Sequence, residues 1–178
     1  MISFRRLVAD DFELMLRWLN EPGVVEWWEG DDVSADAVRR DYFTDVDDGV
    51  EHWLALDDGI PFGWIQCYPV TADPDECGPW RALGVPDTAA GIDYLVGEVG
   101  QRGSGRGSSM IDRFVDDVVF GRHPEWTHVG AGPFSANTRS WGALAKAGFS
   151  HIGTLPDPGG PLHLMVRSRD SGPNETSA

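Results

Sequence analysis

The chain has 178 residues, enough for one domain of ordinary size with a core that needs no disulfide staples. Its 29 acidic against 14 basic side chains give a formal net charge of -15. That argues against nucleic acid and anionic membranes as partners and favours small cations, although solubility alone also explains such a surface.

Ile2 to Val8 reads as an opening strand, followed by a helix capped by Asp10 or Asp11 and running to Asn20, with Phe12, Met15, Leu16 and Leu19 on one stripe. Pro22-Gly23 is expected to end it. Ser34 caps a second helix that ends in the acidic segment around Asp45 to Asp48. His52 to Leu56 and Phe62 to Tyr68 alternate as strands joined by an Asp58-Gly59 turn. Residues 71 to 89, rich in Asp, Pro and Gly, are expected to form a long loop of the functional or mobile kind.

Gly91 to Val96 is the next strand, and a helix follows from about Gly105 to Phe120. Thr127 to Ala131, Asn137 to Lys146, Phe149 to Thr154 and Leu162 to Val166 read as strand, helix, strand and strand. This order predicts an α/β (α+β) domain over residues 1–168, a central mixed β-sheet flanked by helices on both faces, with a flexible tail at 169–178. No apolar run is long enough to cross a bilayer, and none follows the charges of the first sixteen residues, so no secretory leader is expected. Cys67 and Cys77 read as reduced thiols of a cytoplasmic protein. The five histidines have no metal-binding spacing, so no metal is expected.

The segment Arg102-Gly103-Ser104-Gly105-Arg106-Gly107-Ser108 lies between a strand and a helix. Glycines there allow tight turning and close backbone approach, and the helix N-terminus supplies unpaired N–H donors and partial positive charge. Together with Arg102 and Arg106 this suits a pyrophosphate. It lacks the Lys-Ser/Thr ending of a nucleotide P-loop.

Arg102-x-x-Gly105-x-Gly107 resembles the acetyl-CoA pyrophosphate loop of the GNAT superfamily of N-acetyltransferases. Gly91-Ile92-Asp93, Val25-Glu26-Trp27-Trp28, Phe62-Gly63-Trp64-Ile65-Gln66-Cys67-Tyr68, Asn137-Thr138-Arg139 and Lys146-Ala147-Gly148-Phe149 are similar to segments of aminoglycoside 6'-N-acetyltransferases, in the same order from about residue 4 to 168. The resemblance implies the GNAT fold and acetyl-CoA as co-substrate. It places acetyl-CoA against the backbone of Tyr94, Leu95 and Val96, the loop from Arg102 to Ser108, and Asn137 and Arg139. Asp93 is the expected proton acceptor for the amine. Trp27, Trp28, Glu29, Gln66, Tyr68, Asp87 and Asp93 are the expected acceptor site for a small cationic amine. No nucleic acid or membrane partner is expected, and the chain is expected to be a monomer or homodimer.

Two positions depart from the family pattern. The helix site that often carries a proton-donating Tyr is Leu144, and an Asp before the family's Pro is replaced by Gly132. A different amine acceptor, such as a siderophore hydroxylysine or a polyamine, and a non-catalytic acyl-CoA-binding module therefore stand beside the aminoglycoside reading.

Overall fold

A computed structural model of the chain describes residues 1–28, 32–43, 49–101, 103 and 105–170. Among the described residues, seven strands form one sheet in the order β1-β2-β3-β4-β5-β7-β6. They are β1 (Ile2–Arg6), β2 (Glu51–Asp57), β3 (Ile60–Pro69), β4 (Ala89–Val96), β5 (His128–Ala131), β6 (Ser150–Leu155) and β7 (Leu162–Ser168). β4 and β5 pair in parallel, and the other ladders among the described residues are antiparallel. The mixed sheet matches the expectation. At the β2–β3 hairpin Asp58 and Gly59 both have positive φ, 47° and 83°, as the two central residues of a type I′ turn require.

Strand alternation divides the core between two faces. Trp53, Ile65, Cys67 and Ile92 pack against α5 (Arg106–Phe114), its π-helical continuation Val115–Phe120, and α6 (Thr138–Lys146). Leu54, Trp64 and Leu95 point the other way, onto Met15, Trp18 and Leu19 of α1 (Phe12–Leu19) and Val38 of α3 (Ala35–Tyr42). Helices thus cover both faces.

Several boundaries differ from the sequence reading. Asp11 precedes α1 but does not cap it; its carboxylate takes two bonds from Arg5, at 2.6 and 2.7 Å, and one from the Val8 N–H. α1 ends at Leu19, before Pro22-Gly23 as expected, but the Pro-Gly pair does more than end it. It opens a short helix, α2 (Pro22–Val25), because Pro at the first helical position gives up no bond the helix needs. Ser34 caps α3 as expected, accepting from the Ala37 N–H at 3.3 Å. The acidic end foreseen at Asp45 to Asp48 lies outside the described residues.

The expected long loop contains a helix, α4 (Pro74–Ala82). Asp73 caps it through the Asp75 N–H at 2.9 Å, and Pro74 occupies its first position. Burial of Cys77 and Trp80 with Val70, Val85 and Leu164 holds it in place despite Pro79 within it. Past β7, the Arg169 guanidinium bonds the carbonyls of Phe120, His123 and Trp126, so the chain is tied down one residue into the segment expected to fray.

Candidate active site

The β4–β5 ladder ends at Gly91 opposite Gly130, yet β4 continues for five residues while β5 turns away after Ala131. The two strands diverge into a wedge. The far side of the wedge is the start of α6, where the Asn137 side chain accepts from the Ser140 N–H at 3.1 Å. One cavity lies on each side of this point.

The first, of about 400 Å³, runs along the end of β4 to the start of α5. Tyr94, Leu95, Val96, Gly103, Gly105, Gly107, Ser108, Asn137 and Arg139, all named from the sequence as acetyl-CoA contacts, line it, and Lys146 adds a cation. Gly105 is the N-cap of α5 in the left-handed region, with φ 84°, where a side chain would be strained. Its carbonyl accepts from the Ser108 hydroxyl at 2.8 Å. The turn leaves the first N–H groups of a helix facing a cavity bordered by Arg139 and Lys146, which fits a pyrophosphate. Arg106 does not line it. Its guanidinium pairs with Asp57 and lies 5.7 Å from the Phe62 ring centre. Arg102 and Ser104 lie outside the described residues.

The second cavity, of about 740 Å³, is lined by Trp27, Trp28, Gln66 and Asp93. Gln66 and Asp93 are directly opposite across β3 and β4, and the Gln66 amide donates to the Asp93 carboxylate at 2.8 Å. This fixes one carboxylate oxygen, leaving the group aimed at the cavity. Trp28 packs edge-on to Trp64, with ring centres 6.4 Å apart, so it serves wall and core together.

Tyr68, expected in the acceptor site, does not line this cavity. Its ring covers Gly91 so closely that a Cβ there would come within 2.4 Å, and its hydroxyl donates to Glu76 of α4 at 3.3 Å. Burial, and next the charge of Asp93, push the Glu76 carboxyl up to about 7. The same two influences, in that order, raise the Tyr68 phenol, so it keeps its proton. Asp87 is not brought to the cavity; Arg81 holds both its oxygens, at 2.9 and 2.7 Å. Glu29 lies outside the described residues.

Other wall residues were not anticipated. Asp32, Asp41, Tyr42, His52, Phe134, Ser140 and Asp157 line the second cavity, and Arg40 there is paired with Asp41. Ser140 had a local signal, since it follows the Asn137-x-Arg139 pattern at the same helix start. Asp32 and Asp157 come from separate loops and meet only through the fold.

A family model described as Acetyltransferase (GNAT) domain matches residues 8–156. This chain belongs to the GNAT acetyltransferase family. It is 31% identical over 175 residues to the aminoglycoside N(6')-acetyltransferase type 1 of Klebsiella pneumoniae, spanning 96% of this chain and 84% of that one, and equally to its Serratia marcescens counterpart. Among solved structures it resembles AAC(6')-Ib in complex with paromomycin and acetyl-CoA, at TM-score 0.83 and 30% identity, covering 94% of this chain and 93% of that one. The protein is an N-acetyltransferase of the GNAT fold. Among the described residues, no helix is long and apolar enough to cross a membrane.

Proposed function

We propose that this GNAT enzyme transfers the acetyl group of acetyl-CoA directly to the 6'-amine of an aminoglycoside. One observation carries the reading: the two cavities meet. Trp27, Trp28, Tyr94, Asn137 and Ser140 line both, so a thioester in one and an amine in the other share a boundary at the β4–β5 wedge, with Asp93 beside it.

Acetyl-CoA occupies the smaller cavity, its pyrophosphate at the Gly105 turn and the Arg139 side. The thioester oxygen is held by backbone N–H groups of β4 between Tyr94 and Val96, which stabilise negative charge as it develops. In the larger cavity Asp32, Asp93 and Asp157 attract ammonium groups, and the indole faces of Trp27 and Trp28 pack on sugar rings and cations. The net charge of -15 steers a polycation toward the site.

An ammonium has no lone pair, so it must first lose a proton. Asp93, held by Gln66, accepts it directly or through one water. The amine then attacks the thioester carbon, and the sulfur leaves with the C–S bonding pair. Alignment of the two substrates supplies much of the rate. No covalent enzyme intermediate is needed. Cys67 is fully buried, and that burial raises its thiol far above the range of a nucleophile.

Residues 1–168 act as one catalytic domain, in the cytoplasm, where acetyl-CoA is made. The named relatives act on aminoglycosides, and their similarity across most of both chains supports the same acceptor here. The test is thiol release from acetyl-CoA with kanamycin, tobramycin, a lysine derivative, spermidine and no acceptor. Release with the two aminoglycosides supports the reading. Release with spermidine or the lysine derivative alone would keep the acetyl transfer and overturn the acceptor.

A further inference from the structure

Acetyl transfer from a thioester produces a thiolate, and a thiolate leaving into a partly dry cleft needs a partner for its charge. Side chains that can reach it are those at the meeting point of the two cavities. Of the five residues lining both, Tyr94 and Ser140 carry hydroxyls. The Asn137 side-chain oxygen is already engaged by the Ser140 N–H.

Tyr94 reaches this point because of its place in the strand. It pairs with Ile65, one residue on from the Gln66–Asp93 pair, so it projects from the face opposite Asp93, toward α6. Its hydroxyl donates to the Ser140 carbonyl oxygen at 3.2 Å and lies 2.7 Å from the Ser140 Oγ. Leu144 follows Ser140 by one helical turn on the same face and is fully buried. The helix position that resemblance assigns to a hydroxyl thus carries a hydrocarbon, while a strand residue delivers a hydroxyl one turn earlier.

We propose that the Tyr94 hydroxyl, oriented by Ser140, donates a hydrogen bond to the departing sulfur of CoA and stabilises it as thiolate. This rests on the acetyl-transfer reading above. At rest the phenolic hydrogen is given to the Ser140 carbonyl; as charge develops on sulfur it swings to the sulfur, and the Ser140 hydroxyl, 2.7 Å away, donates to the Tyr94 oxygen. As the nitrogen lone pair forms the C–N bond, the C–S bond breaks and its electron pair stays on sulfur. Nitrogen gives up two protons, one before attack and one as the amide forms; each passes through Asp93 to water, and the released thiolate takes one proton from water. The phenol is not deprotonated. A phenol is a weaker acid than a thiol, about 10 against about 8.5, and burial raises the Tyr94 phenol further. The hydroxyl therefore remains a donor throughout neutral pH. Among the described residues, Asp32, Arg40, Asp41, Asp93 and Asp157 in the larger cavity, and Arg139 and Lys146 in the smaller, are charged groups that also bear on the thiol.

The experiment titrates the thiol of bound CoA by its thiolate absorbance, in the wild type, Tyr94→Phe and Ser140→Ala. The wild type should hold the bound thiol about one unit below free CoA, and Tyr94→Phe should lose most of that shift while Asp93, Arg139 and Lys146 remain. Turnover in Tyr94→Phe should fall roughly 100-fold with the Kd for acetyl-CoA unchanged, and Ser140→Ala should show a smaller loss of both kinds. An unchanged bound-thiol pKa in Tyr94→Phe overturns the assignment, whatever the turnover. A wild type that binds CoA and shifts its thiol yet acetylates no amine would overturn the transfer reading and leave Tyr94's contact with sulfur standing. Failure of the wild type to bind CoA would overturn both.

Discussion

Gln66 and Asp93 face each other across the β3–β4 ladder, and the amide of one holds the carboxylate of the other at 2.8 Å. In the proposed mechanism Gln66 orients the carboxylate and Asp93 accepts the proton of the amine. Asp93→Asn should lower kcat by roughly 100-fold to 10,000-fold with the Kd for acetyl-CoA unchanged, because a general base is lost and the coenzyme cleft is not touched. Gln66→Leu should cost less, about 10-fold, since the carboxylate remains but is no longer held. Steady-state kinetics together with calorimetric acetyl-CoA titration checks both. Full activity in Asp93→Asn would remove the residue from the mechanism.

Glu76 gives a pH prediction. Its carboxyl is raised to about 7 in the folded protein, so folding favours the protonated form. Below the unfolded value, near 4.5, both states are protonated and the group is neutral for stability. Between there and about 7 the unfolded state gives up its proton first, so stability falls as pH rises, and the loss is complete above 7. Glu76→Gln cannot ionise and avoids this loss. Its Tm should exceed the wild type's by several degrees at pH 8, with the difference shrinking toward pH 5. Thermal melts across that range decide it; equal Tm at pH 8 would contradict the assigned environment.

Arg5 and Asp11 give a prediction of opposite sign. The two bonds from Arg5, and then the Val8 N–H, hold the Asp11 carboxyl below its usual range. Its stabilisation is present above the ordinary carboxylate value and is lost as pH falls through the depressed one. Asp11→Ala leaves the Val8 N–H and the guanidinium without this partner and should cost about 1–3 kcal/mol at pH 7. Urea denaturation of both proteins at neutral and at acid pH measures it, and the gap should narrow at the acid end.

Gly105 tests the coenzyme loop. With φ at 84°, alanine pays left-handed strain of about 1–2 kcal/mol, although its Cβ would meet no atom within 4 Å. Gly105→Ala should therefore weaken acetyl-CoA binding about 10-fold or more by turning the first N–H groups of α5, with little steric damage elsewhere. Unaltered affinity would mean that the turn does not set the phosphate contacts.

The strand, Gly-rich turn and helix around Gly105 were legible because each signal is local: an apolar run, glycines that permit positive φ, then helical periodicity. The helix in the 74–82 segment was not. The Asp, Pro and Gly content of residues 71 to 89 read as loop, whereas Asp73 caps a helix there and burial of Trp80 holds it. Asp87 lies close in sequence to β4 and was placed with the acceptor site. Arg81, across a short turn, binds it instead, and side-chain pairing of that kind leaves no periodic trace. Arg106 is similar: its position in the loop suggested phosphate, but β2 offers it Asp57. Asp32 and Asp157 join Asp93 in one wall only because the sheet order brings loops from both ends of the chain to the β4–β5 wedge.

The most direct test of the central claim is the position of the acetyl group on the product made from kanamycin and acetyl-CoA, read by mass and by nuclear magnetic resonance. A single acetyl on the 6'-nitrogen, lost when Asp93 is replaced by Asn, is the predicted result. An acetyl on another nitrogen, or none on kanamycin while a different amine is acetylated, would contradict the assignment of the acidic cavity to the 6'-amine of an aminoglycoside.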